Sequence, residues 1–189
     1  MEKKLSDYVL EVRNFLQDFK HKQFCYLLDK NSFSFKPAEL VGNRIDKNIR
    51  DTLHVGLQSL NEPSMTNVHW ANTFHFYLRK AMFNYFKVTN TMLDSNMNVS
   101  DIQILKYPIG GFYKPHVDHG DKINRSLSFL YLVNENYKGG ELYFFNDGKE
   151  YPVKVEKNKL IVFPSNFMYM HGVKPVTEGI KYSVVSWAL

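Results

Sequence analysis

After about residue 100 this chain becomes a succession of short, β-rich apolar runs, each ended by turn residues. In order they read DIQILKY, KPHVDH, RSLSFLYLV, GELYFFN, KEYPVKV, NKLIVFP, YMHGVKP and IKYSVVSWAL. They are rich in valine, isoleucine, tyrosine and phenylalanine, residues that fit a pleated, half-buried surface. Asn146-Asp147-Gly148 between two runs signals a tight hairpin, because its residues tolerate positive φ. Gly139-Gly140 and Pro164-Ser165-Asn166 mark further turns. Eight short strands at this spacing predict an antiparallel barrel or jelly roll.

The first hundred residues carry helical patterns instead. Leu5, Tyr8, Val9, Val12, Phe15, Leu16 and Phe19 recur at three- and four-residue steps, predicting an amphipathic helix that Ser6 or Asp7 could cap. Residues 46–60 are a second, weaker helix candidate. Residues 69–87 are a third, with Trp70, Phe74, Tyr77, Leu78, Ala81, Met82 and Tyr85 on one side. SFSFKPAELVG between them reads as extended or loop structure. With no repeat and no low-complexity linker, the expectation is one domain over residues 1–189. Its class is α+β, mainly β: a mainly helical support region over 1–100 packs against a double-stranded β-helix, or jelly-roll, core over 101–189.

Composition narrows the function classes. Hydrophobic residues are 44% and charged residues 23%, ordinary for a globular chain. No apolar run approaches the roughly 20 residues of a membrane helix, so no membrane partner is expected. The first residues lack an apolar stretch with a small-residue cleavage site, so a cytoplasmic location is expected. A single cysteine, Cys25, excludes an internal disulfide framework and a multi-thiolate metal site. The net charge of +5 is dispersed, with 13 basic against 10 acidic residues before position 101 and 11 against 9 after it. Without a basic stripe, nucleic acid is not an expected partner.

Among seven histidines, His21, His54, His69 and His75 read as packing or surface residues. His116-Val117-Asp118 differs. On an extended segment, residues i and i+2 share a face, so an imidazole and a carboxylate can converge. A second histidine from a late strand, His171, would complete the 2-His-1-carboxylate arrangement of non-haem Fe(II) oxygenases, leaving open positions for a chelating 2-oxo acid and dioxygen. His119 stands an odd step from His116 and should turn away; Asp121 also follows closely. Lys181, ten residues past His171, would face inward on the next strand, where a buried ammonium needs an anionic partner. A 2-oxoglutarate co-substrate would supply one.

The stretches YPIGGFYKPHVD (107–118), RSLSFLYLVN (125–134), GGELYF (139–144) and HGVKPVTEGIKYSVVSW (171–187) resemble the prolyl 4-hydroxylase family of Fe(II)/2-oxoglutarate dioxygenases in order and approximate spacing. The resemblance covers residues 101–189. It implies that His116, Asp118 and His171 are the catalytic metal ligands, and that Lys181 pairs with the distal carboxylate of 2-oxoglutarate. It further implies that Tyr107 hydrogen-bonds that carboxylate, that Ser183 adds a hydroxyl near it, and that Tyr113, Arg125 and Trp187 line the substrate side. The implied cofactors are Fe(II), 2-oxoglutarate and O₂, with ascorbate as reductant. The implied reaction hydroxylates an unactivated C–H bond while 2-oxoglutarate becomes succinate and CO₂.

One position departs from the pattern. Leu132 stands where relatives often have tyrosine, and Tyr131 alternates to the opposite face. The leading substrate is a prolyl residue in a peptide or protein. Free proline, a lysyl residue or another small metabolite would suit the same chemistry. A non-catalytic cupin-like binding module and an interaction protein acting through its aromatic helices are the readings of other classes. Either a monomer or a homodimer is compatible with the sequence.

Overall fold

The computed structural model describes residues 4–40, 44–58, 64–92, 96–120 and 123–189. Among these the N-terminal half contributes β1 (Leu10–Arg13), α1 (Asp18–Asp29), β2 (Lys36–Pro37), β3 (Arg50–Asp51), β4 (Leu53–Gly56) and α2 (Met65–Thr89). There follow β5 (Val99–Tyr107), β6 (Phe112–His116), β7 (Leu127–Leu132), β8 (Lys138–Gly139) and β9 (Leu142–Asn146). The chain ends with β10 (Lys149–Pro152), β11 (Lys159–Pro164), β12 (His171–Val173), β13 (Val176–Glu178) and β14 (Lys181–Ala188).

The strands form a seven-stranded sheet ordered β1-β11-β7-β14-β5-β4-β2 and a five-stranded sheet ordered β10-β9-β12-β6-β3. All their pairings are antiparallel. β8 and β13 pair separately. This is the jelly roll that the strand runs predict. Each of the eight runs contains one strand, and Asn146-Asp147-Gly148 turns β9 back onto β10 with Asp147 and Gly148 both at positive φ. The short β8–β13 pair was not foreseen.

Two apolar clusters explain why the central strands read as nearly continuous apolar runs. One joins the helices to the outer face of the large sheet: Phe24, Trp70, Phe74 and Met82 pack with Phe129, Tyr131 and Val162. The other fills the space between the sheets with Leu105, Leu130, Leu132, Ile161, Phe163 and Val173. Successive side chains of β7 thus go alternately to helices and barrel interior, and all six residues are buried. Fully burying each such large side chain contributes about 1.5–3 kcal/mol.

The N-terminal expectations need correction. No helix spans Leu5 to Phe19; there is a 3-10 turn at Leu5–Tyr8, then β1, and α1 begins only at Asp18. Lys4 N–H donates to the Asp7 carboxylate within that turn, at 2.9 Å. Three interactions override the helical periodicity. β1 pairs with the edge of β11, Asn14 takes φ 51°, and the Asn158 side chain brackets Leu16, accepting from its N–H and donating to its carbonyl at 2.9 Å each. Free strand-edge bonding groups outcompete a weak local preference. Likewise the second helix candidate, 46–60, holds β3 and β4, with Val55 opposite Ile104 of β5; its residues 59–60 lie outside the described residues. The third candidate is α2, which is longer than expected and ends at Asn90 in the left-handed conformation. SFSFKPAELVG contains β2 and is otherwise irregular, its residues 41–42 lying outside the description.

Candidate active site

The five-stranded sheet brings two distant histidines together. β12 runs antiparallel to β6, with His171 directly opposite His116. β6 ends at His116, and the chain bends at Asp118 rather than continuing extended. The bend still turns the carboxylate inward. His116 Nε2 lies 3.6 Å from Asp118 Oδ1, and His171 Nε2 lies 3.6 Å from Oδ2. All three donor atoms fall within 4.8 Å of one another.

The surroundings prepare these side chains to bind a cation. Nδ1 of His116 faces the Lys114 carbonyl at 2.9 Å, and Nδ1 of His171 faces the Tyr169 carbonyl at 3.0 Å. A carbonyl only accepts, so each Nδ1 carries a hydrogen and each ring turns its Nε2 toward Asp118. Burial pushes the His171 imidazole down to about 4, keeping it uncharged. Burial of Asp118 opposes its ionisation. Even so, the neighbouring His171, the hydrogen bond and charge of His116, and the Ser128 hydroxyl hold its carboxyl well below the usual range. Ser128 donates to Asp118 Oδ2 at 2.6 Å and is itself bonded to Ser165 at 2.8 Å. Two imidazole nitrogens, one carboxylate and an open side match the donor set expected for Fe(II).

A cavity of about 280 Å³ opens beside this triad, and Tyr107, Tyr113, Arg125 and Trp187 are all on its wall. Tyr113 stacks on His116 at 3.6 Å between centroids, while the Arg50 guanidinium lies 4.8 Å from the Tyr113 ring. Across the mouth, Arg125 lies 3.4 Å from the centre of the Trp187 ring and bonds Asp101 at 3.3 Å.

Lys181 and Ser183 are not on that wall. They alternate inward on β14 and are both buried. The Lys181 ammonium donates to the Gly140 carbonyl at 2.6 Å and lies 5.2 Å from the Tyr107 ring. Burial lowers its pKa to about 7, with Glu141 acting weakly the other way. Leu132 faces the barrel interior and Tyr131 the helices, the alternation expected from sequence. His119 turns away and bonds the Arg125 carbonyl at 2.9 Å. Asp121 lies outside the described residues.

Sequence reasoning missed three contributors. Ser128 shares its face of β7 with Leu130 and Leu132, so strand parity could have found it. Arg50 was hidden inside a presumed helix. His54, read as a packing residue, stands on the cavity wall and bonds Gln103 at 3.3 Å.

The fold and the site together define a double-stranded β-helix carrying a 2-His-1-carboxylate cluster beside a cavity. Residues 102–189 match the family model of the 2OG-Fe(II) oxygenase superfamily. Fe(II), 2-oxoglutarate and O₂ are the cofactors that this family implies. A PKHD-type hydroxylase of Rippkaea orientalis is 34% identical over 116 residues, 53% of this chain and 51% of the relative. One from Stenotrophomonas maltophilia is 32% identical over 91 residues, covering 43% of this chain and 40% of the relative. The chain spans about half the length of the curated relatives it matches.

Among solved structures, the fold is similar to a Trichoplax adhaerens prolyl hydroxylase in complex with a hypoxia inducible factor peptide fragment. The TM-score is 0.74 at 21% identity, covering 97% of this chain and 84% of the other. It is also similar to a Pseudomonas putida prolyl-4-hydroxylase, with TM-score 0.70, 20% identity, and coverage of 96% and 91%. Among the described residues, no helix is long and apolar enough to cross a membrane.

Proposed function

We propose that this chain is an Fe(II)- and 2-oxoglutarate-dependent dioxygenase that hydroxylates a prolyl residue in a peptide or protein. The observation that carries this reading is the convergence of His116, Asp118 and His171 at a cavity, with the buried ammonium of Lys181 beside Tyr107. In this reading the triad holds the iron, and Lys181 and Tyr107 take the distal carboxylate of 2-oxoglutarate. Bound iron and 2-oxoglutarate supply O₂ activation, forming succinate and CO₂ as one oxygen atom enters the substrate C–H bond.

The chain's own groups then have defined tasks. The Nδ1–H bonds to Lys114 and Tyr169 hold the two imidazoles with Nε2 facing the cluster, and Ser128 fixes the carboxylate. Tyr113 and Trp187 stand on the cavity wall, each with a guanidinium over its ring. Those guanidiniums, of Arg50 and Arg125, offer donors to the carbonyls flanking a prolyl ring. The similar solved prolyl hydroxylases, one with a peptide bound, support a peptide substrate.

The test supplies Fe(II), 2-oxoglutarate and ascorbate with a panel of proline-containing peptides, free proline and lysyl peptides. Succinate release together with a mass gain of one oxygen on a prolyl peptide is the expected result. Turnover confined to free proline would correct the substrate, and absence of both 2-oxoglutarate binding and decarboxylation would overturn the chemistry.

A further inference from the structure

Four buried side-chain atoms among the described residues have no hydrogen-bond partner: Arg50 Nε, Ser100 Oγ, Tyr137 Oη and Ser183 Oγ. Leaving a buried hydroxyl unpaired costs about 1–3 kcal/mol, so such groups call for an explanation. Two of the four belong to residues that neighbour Lys181. Ser183 is two residues from Lys181 on β14 and shares its inward face. Tyr137 lies on the connection between β7 and β8, where its ring and the Lys181 stem flank Gly140. A Cβ added to Gly140 would lie 3.3 Å from Tyr137 Cε2 and 3.3 Å from Lys181 Cδ.

We propose that the Tyr137 hydroxyl, beside the Ser183 hydroxyl that the family resemblance already implies there, completes the recess for the distal carboxylate of the co-substrate, making Tyr137 a specificity-determining residue. This inference rests on the 2-oxoglutarate reading above. A carboxylate offers about four lone-pair sites, and one ammonium cannot satisfy them all. Lys181 has the Gly140 carbonyl as its hydrogen-bond partner, with no carboxylate paired to it in the salt bridges of the described residues. Leu132, opposite Ser183 in the sheet, brings no donor to this face. Tyr137 and Ser183 therefore supply the neutral donors that an anion at Lys181 needs. Burial raises the Tyr137 phenol, and nearby Glu141 and Tyr107 act the same way, so it remains protonated and able to donate. Gly140, at φ 65°, has no side chain to fill the space between ring and ammonium stem.

The test measures binding by calorimetry under nitrogen, using the full chain loaded with Mn(II) as a redox-silent substitute for iron. Wild type, Tyr137→Phe and Ser183→Ala are each titrated with 2-oxoglutarate and with pyruvate, which lacks the distal carboxylate. Tyr137→Phe keeps the ring and is expected to weaken 2-oxoglutarate about tenfold, in line with one hydrogen bond to a charged group, while leaving pyruvate and Mn(II) affinity unchanged. Its melting temperature without ligand should hold or rise, because an unpaired buried hydroxyl is removed. Unchanged 2-oxoglutarate affinity in Tyr137→Phe would overturn the assignment and leave the dioxygenase reading standing. Equal weakening of both keto acids with a lowered melting temperature would make Tyr137 structural and also overturn it. A wild-type protein that binds Mn(II) but not 2-oxoglutarate would remove both readings together.

Discussion

His116 and His171 lie directly across β6 and β12 from each other, ring centroids 4.4 Å apart, and their Nε2 atoms face different oxygens of Asp118 at 3.6 Å each. Residues more than fifty positions apart thus form one metal-sized cluster through a single strand pairing. Replacing either histidine with alanine leaves two donors. Expected outcomes are loss of stoichiometric Fe(II) after anaerobic reconstitution, measured by metal analysis, and loss of succinate formation.

Ser128 acts on the metal only through Asp118, whose Oδ2 it holds at 2.6 Å. Ser128→Ala frees the carboxylate to rotate without removing a donor. Metal affinity should fall roughly 10–100-fold, the usual penalty for losing an outer partner of a ligand. Competition titration with a chelator measures it, and Ser128→Thr, which retains the hydroxyl, should recover part of the loss.

In the proposed site, Lys181 would make co-substrate binding pH-dependent. Its folded-state pKa lies at about 7, below the usual 10.5, because burial disfavours the charge. An anion binds the protonated form, so binding draws in a proton above pH 7. The affinity for 2-oxoglutarate should be highest below pH 7 and fall by up to roughly tenfold per pH unit above it. The protein without ligand shows the opposite trend from this group. Between about pH 7 and 10.5 the unfolded chain holds the extra proton, so stability rises with pH there. Calorimetry at pH 6.5, 7.5 and 8.5 reads the first effect, and Lys181→Arg, which stays charged, should flatten it.

Arg125 and Trp187 form one wall of the mouth, cation over ring at 3.4 Å. Arg125→Ala and Trp187→Ala should raise KM for the peptide substrate several-fold while leaving the affinity for 2-oxoglutarate near that of wild type. Steady-state kinetics in peptide and keto acid separately distinguish these effects.

The helices brace the seven-stranded sheet, which carries Ser128, Lys181 and Trp187. Phe74 is completely buried on α2, 5.1 Å from Phe24 and 5.8 Å from Tyr131 between ring centroids. Phe74→Ala should cost about 3–5 kcal/mol, the range for deleting a buried aromatic. Thermal melting should register roughly 2–4 °C per kcal/mol for a chain of this size.

The strand runs after residue 100 and the triad candidates were legible because strand periodicity and residue chemistry are local properties. DIQILKY, RSLSFLYLV and NKLIVFP each became one strand, and the parity of β7 separated Tyr131 from Leu132 as alternation requires. Tertiary structure decided the N-terminal half. There, a pattern compatible with a helix meets unpaired edges of two sheets, and hydrogen bonding to β11 and β6 converts it into β1 and β3. That conversion brought Arg50 to the cavity, which no local pattern announced. The unpaired hydroxyls of Tyr137 and Ser183 also depend on the fold, since only packing determines which polar atoms lose contact with water and which of them find a partner.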